Sequence, residues 1–153
     1  MATLTAVAAQ PGVMPKGYQT GVQCELFSSA AMASLAASDV VLGCKIPTGA
    51  TVLDCAVRMG HRADTQAAIN VFVAKVNEGS GTALFSFGQQ VLSATGGTVL
   101  FRPTTASLFA PTKISLSDDA AVQYALLKLS VTAGTTTTSF SFNGYVLYTM
   151  DEA

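Results

Sequence analysis

In the stretch TVLDCAVRM (residues 51–59) apolar positions recur every second residue: Leu53, Cys55, Val57 and Met59 fall on one side, and Val52, Asp54, Ala56 and Arg58 on the other. A period of two marks a half-buried strand, because successive side chains of extended backbone point to opposite faces. The same alternation runs through AINVFVAKV (68–76), where Ile69, Val71 and Val73 form one row. Residues 98–102 alternate too and stop at Pro103, which cannot donate to a ladder. KISLS (113–117) follows the pattern, as do Leu127, Leu129 and Val131, set against Lys128, Ser130 and Thr132. After the AGTTTT turn, Phe140, Phe142, Val146 and Tyr148 make a last apolar row.

Turn-rich clusters separate these runs: NEGSGT from Asn77, ATGGT from Ala94 and SDDA from Ser117. About eight strands result. SSAAMASLAAS (28–38) is the one segment whose alanines suit a helix, and a short helix or an irregular strand fits it equally well. The predicted fold is all-β, a single-domain β-sandwich of two sheets packed face to face.

Length and composition agree with that picture. At 153 residues the chain fits one domain. Half of it is apolar and 11% is charged, against about 25% charged in an ordinary soluble domain. So sparse an ionic exterior suits a surface meant to be covered by other protein. With a net charge of −1 and eight basic residues scattered from Lys16 to Lys128, nothing draws in nucleic acid. The longest uncharged spans, 79–101 and 129–150, are studded with Gly, Ser, Thr, Gln and Asn, which argues against a membrane helix. No basic region leads into an apolar core at the start, so a cytosolic site of synthesis is expected.

Residues 1–20 differ in kind: Pro11, Pro15, Gly12 and Gly17 interrupt them and no period is sustained. They read as an extended N-terminal arm ahead of a sandwich domain at 21–153, either clamped by a neighbouring subunit or folded back on its own sheet.

The residues that carry chemistry are few. Cys24, Cys44 and Cys55 are odd in number and lack a C-x-x-C pair, so neither a disulfide framework nor a zinc site with His61 is expected. The three cysteines read as buried small hydrophobes. His61 is the single histidine, with no G-x-S-x-G elbow beside it. Asp118 and Asp119 are adjacent, so on a strand their carboxylates diverge instead of converging on a substrate. Asp54 and Arg58 share a strand face and read as a surface salt bridge. ATGGTVLF lacks the Lys-Ser/Thr of a phosphate loop and reads as a hairpin turn. No catalytic residue, metal, cofactor or small-molecule substrate is expected; the chain is read as a non-enzyme.

The run VVLGCKIPTGATVLDCAVRM, then KISLSDDAAVQYALLKLSVTAG and the closing FNGYVLYTMDE, resembles small structural proteins of tailed bacteriophage virions. An IP-x-GA-x-V entry strand, here Ile46 to Val52, repeated hairpins and a final Tyr-containing strand are common in these proteins, and the likeness runs from Val40 to Met150. Pro47 fixes φ for the turn and Gly49 permits the reversal. The resemblance implies a head decoration (cement) protein. Such a protein is a jelly-roll-like sandwich, assembled as a homotrimer, that binds the major capsid protein on the outside of a shell built in the host bacterial cytoplasm.

Under this reading the arm residues Gln10, Pro11, Val13, Met14 and Tyr18 lie on a neighbour, with Met14 and Tyr18 as anchors, because an extended peptide can add to a sheet edge. Arg58, His61, Arg62 and Asp64 form a polar cluster, either a solvated loop or a patch that meets an acidic capsid surface. Other virion roles share the composition, namely a tail tube, a head-to-tail adaptor or a receptor- or carbohydrate-binding fibre module.

Overall fold

The computed structural model describes residues 3–5, 21–32, 34–61, 66–75, 82–103, 124–136 and 140–150. Nine strands lie among them: β1 (Thr3–Thr5), β2 (Gly21–Ser28), β3 (Val40–Pro47), β4 (Ala50–His61), β5 (Ala67–Ala74), β6 (Phe85–Leu92), β7 (Gly97–Phe101), β8 (Tyr124–Gly134) and β9 (Ser141–Met150). They form two sheets, ordered β1-β3-β8-β5-β6 and β2-β9-β4-β7.

Four antiparallel ladders define the topology. β5 pairs with β6, β4 with β7, β3 with β8 and β2 with β9, so each strand meets its mirror about the β5–β6 connection. Pairings of β4 with β9 and β5 with β8 join these ladders into the two sheets. That arrangement is a jelly roll, the double-sheet way for eight strands to bury their apolar rows. β1 is an addition at the β3 edge. It lies within the expected arm and pairs parallel, Thr3 with Val40 through Thr5 with Leu42.

The predicted rows become the core. Ile69, Val71 and Val73 face Leu127, Leu129 and Val131 within one sheet, and Phe142, Val146 and Tyr148 point inward from the other; all are buried. Phe27 and Phe140 flank Phe142 at ring-centre distances of 6.0 and 6.2 Å, tilted as aromatic pairs prefer. Gly144 sits between Phe27 and the β4 backbone because nothing larger fits. A Cβ there would run into the Ala56 carbonyl oxygen and come within 2.9 Å of the Phe27 ring.

One open alternative is decided here and one expectation corrected. Of the two forms that suited residues 28–38, the described ones show no helix; Met32 bridges to Phe140 and Ala36 to Thr135. The segment is pinned by paired backbone groups: Leu35 N–H donates to Thr136 Oγ1 at 2.8 Å, and Thr136 N–H returns a bond to the Leu35 carbonyl at 2.8 Å. In β4, Val52 is in the core and Leu53 is half-exposed, the reverse of the strict alternation. The cause is a bulge: Val52 pairs with Tyr148 and Asp54 with Leu147, leaving Leu53 as an extra residue. One inserted residue moves the phase to the other face. Cys55, Val57 and Met59 then resume the inward row.

Candidate functional site

The outward faces of the two sheets differ. On the five-stranded sheet, Phe72 alternates with inward Val71 and Val73, and Lys45 and Lys128 alternate with core residues, yet all three are buried. Lys128 donates from Nζ to the Lys75 carbonyl at 2.6 Å, and Lys45 Nζ lies 4.7 Å from the centre of the Tyr124 ring. The four-stranded sheet is open. Val22 is 63% exposed, Leu26 70% and Leu100 58%. Neighbouring Tyr145 and Leu147 are half-buried, and Cys24 is exposed.

Strand β2 explains why so much apolar surface faces out. Its two rows are Val22, Cys24 and Leu26 against Gln23, Glu25 and Phe27, and hydrophobicity alone would turn the first row inward. The structure does the opposite, because Phe27 fills the space left by Gly144, its register partner on β9. Glu25 is carried inward with it and is buried. Cys24 is therefore an exposed thiol, a correction to the expectation that all three cysteines are buried; Cys44 and Cys55 are. Burial pushes the Cys44 and Cys55 thiols up, with Cys55 second for Cys44 and the Asp54 carboxylate second for Cys55.

A polar cluster sits at the centre of this face. Asp54, placed by the bulge, accepts the Cys55 N–H on Oδ1 at 2.7 Å. Its Oδ2 accepts from the Tyr145 hydroxyl at 3.3 Å and from Arg102 Nη1 at 3.4 Å. The Arg102 guanidinium lies 6.0 Å from the centre of the Tyr145 ring. Asp54 thus pairs with Arg102 and not with Arg58, correcting the expected bridge. Four residues along a strand are about 13 Å apart, whereas β7 brings Arg102 alongside. Tyr and Arg beside exposed leucines are the residue types that dominate protein interfaces.

Beside that cluster lies a cleft of about 100 Å³ lined by Arg58, Gly60, Thr98, Ser29, Ser141 and Asn143. Arg58 is exposed, faces Asn143 on β9 and Leu100 on β7, and has no ion-pair partner among the described residues. Gly60 leaves the floor bare, since a Cβ there would stand 3.1 Å from Ser141 Oγ.

Of the contact residues expected from sequence, Arg58 alone is described on this face. His61 is buried and points the other way; its Nε2–H donates to the Ser93 carbonyl at 2.7 Å, tying β4 to the β6–β7 turn. Gln10, Pro11, Val13, Met14, Tyr18, Arg62 and Asp64 lie outside the described residues. Sequence reasoning missed Val22, Leu26, Leu100 and the Asp54–Arg102–Tyr145 cluster. One available signal was the apolar alternation of VQCELF on a strand whose opposite row holds Gln and Glu. Among the described residues no group of His, Cys, Asp and Glu could hold a metal ion, and no helix is long and apolar enough to cross a membrane.

No protein-family model matches the chain, and no curated protein matches it in sequence. Solved structures do. The chain is similar to one in the capsid of Ralstonia phage GP4, with a TM-score of 0.72 and 16% identity over 99% of this chain and 100% of that one. It is also similar to one in the cyanophage Pam1 capsid asymmetric unit, with a TM-score of 0.55 and 15% identity over 94% of each chain. At such identities the likeness lies in the fold: a single jelly-roll sandwich of this chain's own size occurs in two phage capsids.

Proposed function

We propose that this chain is a structural protein of a bacteriophage virion, a decoration (cement) protein that binds the major capsid protein on the outside of the shell. The observation that carries this reading is the end-to-end likeness to whole chains of two phage capsids. The likeness covers nearly the whole of each chain, so the shared unit is the entire sandwich. A small sandwich added to a shell suits a cement role. The open face of the four-stranded sheet supports the same reading, because an apolar patch rimmed by polar residues marks a protein contact. Repetition over a symmetric lattice turns modest contacts into avidity, so no single contact need be strong.

The protein works as a homotrimer at the capsid surface of particles assembled in the bacterial cytoplasm, with the arm residues Gln10, Pro11, Val13, Met14 and Tyr18 and the polar residues Arg58, Arg62 and Asp64 as contacts; His61, buried against the Ser93 carbonyl, is not one of them. It carries out no catalysis. The one imidazole is turned inward against the Ser93 carbonyl, which supports that view. The test is addition of purified protein to heads stripped of it, followed by co-sedimentation and by a heat challenge. Saturable binding with heads that resist heat better is the expected result. Rings or tubes formed by the protein alone in negative stain, without binding to heads, would overturn it in favour of an adaptor or tail-tube subunit.

A further inference from the structure

The cleft at Arg58 holds a cation without a counter-ion among the described residues, in a chain that has few charges to spare. Arg102, on the same face, is matched by Asp54. Beside Arg58 the residues Thr98, Ser141 and Asn143 line a space of about 100 Å³, together with Ser29, whose hydroxyl is held by the Phe142 backbone. A guanidinium fork with hydroxyl donors is the donor set that receives a carboxylate. The size narrows the occupant further. At about 30 Å³ of liquid volume per water, the cleft holds roughly three waters, enough for a carboxylate and a short stem.

The chain's own carboxylates point to a source. It has nine. Glu25 is buried, Asp54 is taken by Arg102, and Asp39 accepts the Ala36 N–H at 2.9 Å. Of the other six, Asp64, Glu78, Asp118 and Asp119 lie outside the described residues, as do Asp151 and Glu152, which follow directly on Met150, the last residue of β9, whose first residues line the cleft. One strand therefore has the socket at one end and two acidic residues immediately beyond the other. They cannot meet within one chain: Asn143 to Met150 spans about 23 Å at ~3.3 Å per residue, and two further residues reach back about 7 Å at most. Between two copies placed head to tail along β9 they can.

We propose that the Arg58 cleft is the socket of a head-to-tail contact between copies of this chain, filled by the Asp151 or Glu152 carboxylate of the next copy. Leu100 and Leu26, exposed on the Arg58 row and the row beside it, supply the apolar rim of that contact. A contact between unlike patches closes into a ring when the rotation between copies allows it. Binding to capsid is a separate event, so the contact is read on the purified chain alone.

The test is sedimentation velocity of the full chain over a range of concentrations at about 0.05 M and about 0.5 M salt. Wild type self-associates, less at the higher salt. Arg58→Glu weakens association by about tenfold or more, since it sets like charges face to face, and Asp151→Lys with Glu152→Lys does the same. All three changes together restore it. Gly60→Thr fills the cleft without altering charge and weakens association equally. Circular dichroism and the melting midpoint check that each variant folds. Self-association of Arg58→Glu equal to wild type overturns the proposal, as does failure of the charge exchange to restore it. Binding of glucuronate that depends on Arg58, with self-association unchanged, also overturns it, in favour of an acidic-sugar site.

Discussion

Gly144→Ala is expected to be among the most damaging single-methyl changes this sandwich can suffer. The new Cβ would meet the Ala56 carbonyl oxygen, stand 3.1 Å from the carbonyl carbon of Ala56 and 2.9 Å from Phe27 Cζ. Two of those three atoms belong to backbone, which cannot rotate aside as a side chain can. Relief requires β4 and β9 to part, and overpacking of this kind costs about 1–3 kcal/mol. Each ladder hydrogen bond stretched in consequence contributes about 0.5–1.5 kcal/mol more, so a loss of about 3 kcal/mol is expected. With a urea slope of about 2 kcal/mol/M, the midpoint falls by about 1.5 M. Gly60→Ala, on the same pair of strands, is the control. There the Cβ meets only the Ser141 hydroxyl at 3.1 Å, which can turn away, and the gain from a stiffer unfolded chain is about 0.4–1 kcal/mol. It should lie within about 0.5 kcal/mol of wild type. The assay is urea unfolding followed by far-UV circular dichroism and tyrosine emission, since the chain has no tryptophan. Protein concentration is held fixed because association shifts apparent stability. Equal midpoints for the two variants would refute the reasoning, because close approach of the β4 backbone and the Phe27 ring is what separates them.

Thr136→Val keeps the shape but leaves the buried Leu35 N–H without its 2.8 Å acceptor; a loss of about 1–3 kcal/mol is expected, and Thr136→Ser should recover most of it in the same urea assay. Tyr148 is fully buried, and burial first, with the Glu25 charge second, raises its hydroxyl pKa from 10.0 to about 12. A raised folded-state pKa means this contribution is present below pH 10.0 and is lost as pH climbs through about 12; Tyr148→Phe should flatten that part of the stability profile relative to wild type. Of the three free cysteines, Cys24 is exposed and Cys44 and Cys55 are buried with their thiols pushed up. A thiol reagent near pH 8 should therefore find one reactive group in the native protein and three after denaturation.

The strands were legible wherever one row was strongly apolar and the other was not. Ile69-Val71-Val73, Leu127-Leu129-Val131 and Phe140 to Tyr148 all lie inward as their spacing predicts. Alternation fails where a bulge changes its phase, and nothing periodic announces one. The inserted Leu53 reverses Val52, and the local sign is Asp54, a residue that can bond the next N–H and so stabilise a kink. It fails again on β2, where packing against a distant glycine overrules the strand's own hydrophobicity. The burial of Lys45 and Lys128 was equally hidden, because long apolar stems under a charged tip are invisible to a charge count. Candidate site residues were harder for the same reason. Arg58 is on the open face, but His61, three residues on, faces inward, and the aromatic and basic partners of Asp54 arrive from strands remote in sequence.

The mirror pairing of strands has a consequence for how the molecule comes into being. Among the described residues β2 has one ladder partner, β9, in register from Gly21 with Met150 to Ser28 with Asn143, so its bonds join residues more than a hundred positions apart. Synthesis at about 5–20 residues per second separates the emergence of Ser28 from that of Asn143 by roughly 6–23 s. Throughout that interval the outermost strand, with its apolar Val22 and Leu26, has no ladder partner on the ribosome. Maturation is therefore post-translational and slow for the chain's size, as a fold made of distant pairings dictates. Newborn chains held at high concentration should be protected by whatever binds that first strand until the last one arrives.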